Sequence, residues 1–154
     1  MHPKVAAVRD ALRAQGVDAD VRQLDAETKT APAAAAFLGC EVGAIANSLV
    51  FLADGAPILV LTSGAHRVNT DALAPRIGAA EIARATPADV KAATGQVIGG
   101  VAPVGHPSPV TTYLDVALRP FGTVFAAAGI PASLFGISYD DLLRVTGATE
   151  VGVG

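Results

Sequence analysis

The sequence has little of what disulfides, membrane spans and broad DNA-binding faces require. Cys40 is its one cysteine, so no internal disulfide can form and the cytoplasm is the expected compartment. No apolar run approaches the ~20 residues that span a bilayer, because the longest, 49–52 and 58–61, are interrupted by Asp54-Gly55. A net charge of -3 predicts no broad basic face, so DNA and membranes are not expected partners.

Several common catalytic motifs are also absent. The sequence contains no Walker loop, no dinucleotide-binding glycine fingerprint, no paired-histidine zinc helix and no cysteine pair. We therefore expect neither a cofactor nor a metal. Ser63 and His66 lie close together, but no nucleophile-elbow pattern surrounds the serine, which argues against a serine hydrolase.

Half of the 154 residues are hydrophobic, which suits one domain over residues 1–154 with one core. Asp54-Gly55 between two apolar runs predicts a β-hairpin. Interleaved short helices and strands indicate an α+β fold, or a mixed sheet wrapped by helices. Apolar periodicity and caps predict helices over 3–15, 30–38, 69–78, 86–95 and 138–147, and strands over 19–25, 48–52, 57–61, 110–114, 123–127 and 133–137.

The loop over residues 97–109 is rich in glycine and proline, and its centre is Gly-Gly-Val-Ala-Pro-Val-Gly-His at 99–106. Glycine lets main-chain N–H groups approach a ligand closely, and proline fixes the path of the chain. Such N–H groups can bind a carbonyl oxygen or an oxyanion. The alternative is a loop that only turns a corner, with His106 as a hydrogen-bonded loop histidine rather than an acid-base group.

A second candidate segment, Ser-Gly-Ala-His-Arg-Val-Asn at 63–69, follows a predicted buried strand and precedes a helix cap. Site residues are common at such positions. Arg67 could bind a phosphate or carboxylate, and His66 could act as an acid or base. Their alternatives are a surface ion pair for Arg67 and a structural hydrogen bond for His66.

Taken in order, five segments resemble the YbaK / prolyl-tRNA synthetase-associated editing-domain family over nearly the whole chain. They are Thr30 with its helix, Ile-Ala-Asn-Ser-Leu-Val-Phe at 45–51, the segments at 63–69 and 99–106, and Ala-Ala-Ala-Gly at 126–129. The resemblance implies an α+β fold with a mixed, largely antiparallel, barrel-like sheet surrounded by helices. It also implies a trans-editing deacylase that hydrolyses the ester of mischarged tRNA, with tRNA(Pro) carrying a small amino acid such as Cys or Ala as the expected substrate.

The same resemblance implies partners and site residues. The partners are the aminoacyl-tRNA acceptor end and a synthetase such as prolyl-tRNA synthetase, with the protein a monomer or homodimer. The family motif of glycine, three residues and proline matches Gly99 and Pro103. The implied catalytic residues are Asn47, Gly99, Gly100, Pro103 and His106, and the implied substrate-binding residues are Thr30, Ser63, His66, Arg67, Val101, Ala102, Gly105 and Gly129.

Asn47 departs from the family pattern, because many members carry a lysine there that contributes to the active site. Four outcomes are open. Asn47 orients the substrate without a charge, or another cation such as Lys29 or Arg67 replaces the lysine. The domain instead binds an aminoacyl or nucleotide moiety, or a protein partner, without hydrolysis. Finally, Asn47 is simply a polar residue at a strand end.

Overall fold

The structure is a computed structural model that describes residues 2–24 and 30–154. Lys29 and the predicted strand end at Asp25 lie outside these residues. No helix in the described part of the chain is long and apolar enough to cross a membrane. The helices are α1 (Pro3–Ala14), α2 (Ala31–Leu38), α3 (Thr70–Arg76), α4 (Pro87–Thr94) and α5 (Tyr139–Thr146). The strands are β1 (Val21–Gln23), β2 (Ile45–Ala53), β3 (Ala56–Ser63), β4 (Ile82–Arg84), β5 (Thr111–Asp115), β6 (Val124–Ala127), β7 (Ser133–Ile137) and β8 (Thr149–Val151), with 3₁₀ turns at Val42–Ala44 and Val116–Leu118.

The helices start and stop where their caps predict. Thr30 accepts a hydrogen bond from the Ala33 N–H at the start of α2, and Thr86 forms a capping box with Asp89 at the start of α4. Gly39 ends α2 and Gly95 ends α4, both in the left-handed conformation that glycine adopts without strain. The hairpin prediction is confirmed as well, because Asp54 and Gly55 both have positive φ between β2 and β3.

The sheet is mixed, with the strand order β1-β7-β6-β2-β3-β5-β8 and β4 added against β2. Four pairings among the described strands are antiparallel and three are parallel, so the α+β prediction with a largely antiparallel sheet is confirmed. The path runs openly from β1 to β8, so the described strands do not close the sheet into a barrel. Short β4 and β8 were not predicted, because three residues carry too little periodicity to read.

Strand β2 is the longest of the described strands, and part of one of its edges has no partner strand among the described residues. One edge pairs with β3 over residues 46–53. On the opposite edge, β6 pairs only with Ile45 and Ala46, and β4 pairs only with residues 51–53. Residues 47–50 therefore have no partner strand on that edge in the described part of the chain.

The main core lies on the face of the sheet covered by α1, α4 and α5. Leu59 and Leu61 of β3 are fully buried there, against Val5 and Val8 of α1 and Leu142 of α5. Val101 and Ala102 belong to the same cluster. These two residues therefore anchor the glycine- and proline-rich loop at 97–109 in the core.

Candidate functional site

A cavity of about 570 Å³ opens beside the unpaired stretch of β2. The start of α2, the ends of β4 and β6, helix α4 and the loop at 98–101 complete its walls. Apolar residues form most of the wall, with Asn47 and Thr30 among its polar side chains. The described lining residues are Thr30, Ala31, Ala34, residues 45–51, Arg84, Ala85, Val90, Ile98, Gly99, Val101 and Ala127.

The β2 wall presents main-chain groups to the cavity. The Gly64 N–H donates to the Ile45 carbonyl at 2.7 Å, which fixes the alternation of the β2–β3 ladder. In an antiparallel ladder every second residue turns both main-chain groups to one neighbour. Ile45, Asn47 and Leu49 therefore bond toward β3, and Ser48 directs its N–H and C=O to the open edge.

Two side chains of this stretch, Asn47 and Ser48, carry hydrogen-bonding groups at the cavity. Asn47 is half-buried and lines the cavity together with Gly99 and Val101, while its catalytic role stays a prediction. The Ser48 hydroxyl is buried and has no hydrogen-bond partner among the described residues. Its neighbours on the same face of β2, Ala46 and Val50, pack into the main core.

The loop wall presents further main-chain donors. The Gly100 N–H donates to the Val97 carbonyl at 2.9 Å, and the Ala102 N–H donates to Oε1 of buried Gln96 at 2.8 Å. Between these fixed points, the N–H groups of Gly99 and Val101 have no acceptor within residues 2–24 and 30–154. Gly99 has φ +87°, a conformation that favours glycine.

Gly100 lies very close to the backbone of Ile130 and Pro131. A Cβ at this position would lie 2.4 Å from the Ile130 carbonyl carbon and 2.6 Å from the Pro131 nitrogen. The turn that contains them is held by the Ser133 hydroxyl, which donates to the Ile130 carbonyl at 2.6 Å and accepts from the Ala128 N–H at 3.1 Å. Gly100 therefore sets the position of Gly99, while a direct catalytic role for it stays a prediction.

His106 is tied into the same loop. Its Nε2 lies 2.7 Å from the Ala102 carbonyl, which can only accept, so Nε2 carries the proton. Burial lowers the pKa of His106 below its ordinary value of 6.5, and the backbone hydrogen bond offsets part of this effect. Neither His106 nor buried Pro103 lines the cavity, so their catalytic roles remain predictions.

Ala102, Gly105 and Gly129 are not among the described lining residues either. Gly105 packs on Val8 of α1, and a Cβ on Gly129 would lie 3.0 Å from the Lys4 carbonyl oxygen. Both glycines have positive φ. The structure explains these glycines by packing and gives them no contact with the cavity, so substrate binding by these residues is still a prediction.

The segment at 63–67 forms a separate cluster around the buried Asp115 carboxylate. The Ser63 N–H donates to Asp115 Oδ2 at 3.0 Å, and His66 Nδ1 lies 3.5 Å from the same oxygen. The Ser63 hydroxyl donates to the Gly43 carbonyl at 2.8 Å and not to the histidine. Ser63, His66 and exposed Arg67 are outside the cavity wall, and their predicted substrate contacts are untested by this geometry.

Arg84 is a site residue that the sequence analysis missed. It is the last residue of β4, lies opposite Phe51 in the register, and is the only charged side chain among the described lining residues. It is exposed and makes no ion pair with the described carboxylates. Three residues of β4 gave no periodic signal, so nothing in the sequence placed this arginine at the same cavity as Asn47. The described residues also contain no group of three or more His, Cys, Asp and Glu that could hold a metal ion.

Comparison with known proteins agrees with this architecture. The family model for the aminoacyl-tRNA editing domain matches residues 25–145. The uncharacterized protein YwhH of Bacillus subtilis (strain 168) is 33% identical over 111 residues, which cover 71% of this chain and 70% of YwhH. A proline–tRNA ligase of Nitratidesulfovibrio vulgaris (strain Hildenborough) is 34% identical over 84 residues, but these cover 54% of this chain and 15% of the ligase.

A solved structure agrees over a longer range. The crystal structure of a candidate trans-editing enzyme for prolyl-tRNA synthetase superposes with a TM-score of 0.93 at 38% identity. The superposition covers 99% of this chain and 98% of that one. Sequence, family model and fold therefore agree, and the resemblance is confirmed: the chain belongs to the aminoacyl-tRNA editing domain family.

Proposed function

We propose that this protein is a trans-editing deacylase that hydrolyses the ester bond between a mischarged amino acid and tRNA. The proposed substrate is tRNA(Pro) carrying a small amino acid such as Cys or Ala. The single observation that carries the proposal is the cavity at the β2 edge, where main-chain N–H groups without an acceptor among the described residues lie beside a mostly apolar wall. The proposed setting is the cytoplasm, with the protein a monomer or homodimer and a synthetase such as prolyl-tRNA synthetase as a partner.

The wall favours a small aminoacyl group. The apolar lining includes Ile45, Leu49, Phe51 and Ile98, whose larger side chains limit the room for a substrate side chain. A pocket of this kind selects by size, although one methylene group changes binding by only ~1–3 kcal/mol. We therefore expect overlapping activity on small amino acids with a clear loss for bulky ones.

Main-chain donors supply the proposed catalysis. Water adds to the ester carbonyl carbon, the carbonyl oxygen takes up negative charge, and collapse of the adduct breaks the bond to the ribose oxygen, which leaves protonated. The N–H groups of Gly99 and Val101 are the candidate donors to that oxyanion, and Gly100 and Gln96 hold them in place. A ribosyl ester is already activated, so positioning and these donors can supply much of the barrier reduction. With no charged base in the described wall, water or a group of the substrate accepts the proton.

Arg84 takes over the positive charge that Asn47 does not provide. An arginine binds phosphate through a planar array of donors, and this one lies at the cavity wall without an ion-pair partner among the described carboxylates. We propose that it contacts a phosphate of the 3′-terminal nucleotides, while Asn47 orients the aminoacyl ribose by hydrogen bonds. The net charge of -3 then suits a small footprint at the acceptor end.

A second candidate function is binding without hydrolysis. Asn47 at the usual lysine position favours it, as does the attachment of His106 to the Ala102 carbonyl, because no charged base then lies among the described lining residues. Such a module would hold an aminoacyl or nucleotide moiety, or a protein partner.

A deacylation assay separates the two functions. Purified protein is incubated with Ala-, Cys- and Pro-tRNA(Pro), and ester loss is measured against the spontaneous rate for each. We expect Ala- or Cys-tRNA(Pro) to be hydrolysed well above background and the cognate ester to be spared. Asn47→Lys serves as the matched variant: if only Asn47→Lys hydrolyses these esters, the natural protein is the binding module. If neither protein does, deacylation is wrong for these substrates.

A further inference from the structure

The open stretch of β2 is short and bounded at both ends. Four residues, 47–50, lack a partner strand on this edge in the described part of the chain, which is roughly 13 Å of strand at ~3.3 Å per residue. Strand β6 closes one end of the gap beside Ala46, and β4 closes the other beside Phe51. Ser48 lies in the middle, and none of the described hydrogen bonds outside the ladders reaches its main chain.

An added peptide strand does not fit this gap, because it would have to continue through β6 or β4. A ligand with the length of one amino-acid residue does fit. An aminoacyl ester has that length, and it carries a donor and an acceptor in the order of a strand residue, its α-ammonium group and its carbonyl oxygen.

We propose that the main chain of Ser48 binds the aminoacyl group as if that group were one residue of an antiparallel strand. The Ser48 carbonyl accepts a hydrogen bond from the α-ammonium group, and the Ser48 N–H donates to the ester carbonyl oxygen. Antiparallel pairing is the arrangement in which two single residues exchange both bonds. This inference rests on the proposed function and adds the recognition of the α-amino group to it.

The pairing also fixes where the amino-acid side chain lies. Opposed residues of an antiparallel pair send their side chains to the same face. On β2 that face carries Ala46 and Val50, which pack into the main core. The substrate side chain is therefore directed inward, toward Val90 and Val101 at the cavity wall, and small size is required.

The first test changes the substrate. Ala-tRNA(Pro) is compared with its N-acetylated form and with the form whose amine is replaced by a hydroxyl, each normalised to its own spontaneous hydrolysis. Loss of a hydrogen bond from a charged donor predicts a fall of about tenfold to a hundredfold in normalised kcat/KM for both altered esters. Equal enhancement on all three esters would overturn the inference while leaving deacylation intact.

The second test changes the protein. Proline at position 48 removes an N–H that no ladder bond uses, and the extended strand suits the residue before it. Ser48→Pro is compared with Ser48→Ala, which loses the hydroxyl but keeps the N–H, so their ratio isolates the main-chain donor. We expect Ser48→Pro to be at least tenfold slower than Ser48→Ala. Equal rates in two folded variants would contradict the pairing, and the substrate series decides alone if Ser48→Pro fails to fold.

A binding measurement separates failure of this inference from failure of the proposed function. The probe is an adenosine whose 3′ position carries alanine through an amide, which the protein cannot hydrolyse as an ester. If no tRNA ester is cleaved but this probe binds at least tenfold more tightly than its N-acetyl form, Ser48 recognition holds and deacylation is wrong. Equal binding of the two probes, or no binding of either, would reject Ser48 recognition.

Discussion

The two candidate segments of the sequence, 63–69 and 99–106, differ in the structure in how far their hydrogen-bonding groups are met within the protein. Polar groups in the first are satisfied by the protein itself, as the Ser63 N–H and the His66 imidazole both meet the buried Asp115 carboxylate. The second contributes main-chain N–H groups at Gly99 and Val101 that have no acceptor among the described residues, and both residues line the cavity. The comparison shows that a polar segment can have its hydrogen bonds met within the protein, while a segment with few polar side chains can leave main-chain donors without an acceptor among the described residues.

The largest expected effect comes from Gly100, which supports the unmet donors. Gly100→Ala places a Cβ within 2.6 Å of the Ile130–Pro131 backbone, which cannot move aside cheaply. We expect a loss of about 3 kcal/mol in the free energy of unfolding and at least a hundredfold loss in kcat/KM, because Gly99 and Val101 are displaced. Urea unfolding and the deacylation assay measure the two effects.

Gly99→Ala is the matched control for that change. Its Cβ has free space, with the nearest atom, Pro131 Cγ, at 4.0 Å, so the cost is the positive φ alone, about 1 kcal/mol. Equal destabilisation by the two substitutions would show that the Ile130–Pro131 turn does not hold the loop.

Substitution of Asp115 tests the segment 63–69, where this carboxylate accepts hydrogen bonds. Its carboxylate accepts from the Ser63 and Ala117 N–H groups at 3.0 and 2.9 Å and from the Thr62 hydroxyl at 3.3 Å. Asp115→Ala leaves these buried donors unpaired, so we expect a loss of about 2 kcal/mol in stability with kcat unchanged in the protein that remains folded. A large fall in kcat at full folding would place the 63–67 cluster in the catalytic machinery and break the comparison.

Substitution of Arg84 and of Arg67 compares the charge at the cavity wall with the charge in the segment 63–69. Arg84→Gln should raise KM about tenfold and reduce the slope of log(kcat/KM) against log salt by about one, because one phosphate contact is lost. Arg67→Gln, in the segment 63–69, should change the KM or the salt slope by less than twofold. Kinetics over a salt series provide both numbers, and the opposite ranking of the two arginines would move the tRNA contact to the 63–67 cluster.

The sequence predicted the elements whose signals are local. Thr30, Thr86 and Gly95 define helix ends through their own caps, and Asp54-Gly55 defines the hairpin, so these predictions needed no tertiary information. The gap beside Ser48 could not be predicted, because it depends on where β4 and β6 stop pairing with β2. Arg84 was missed for the same reason, since β4 is only three residues long and gains its position from that pairing.

The smallest effects are expected at the two histidines, one in each segment. His106 and His66 lie outside the cavity wall, so neither His106→Ala nor His66→Ala should lower kcat more than about tenfold, and the pH–rate profile should keep its shape in both variants. A thousandfold fall in kcat for one of them, worth ~4 kcal/mol of transition-state stabilisation, would establish general acid-base catalysis instead.

The pKa of His106 is lowered in the folded protein, so below pH ~6.5 the unfolded chain binds the proton more strongly than the folded one. Its contribution to stability is therefore complete above that pH and is lost as the pH falls toward the folded pKa. Urea unfolding between pH 7 and pH 5 should show this acid-side loss in the natural protein and a smaller one in His106→Ala, with His66→Ala as the control that retains it.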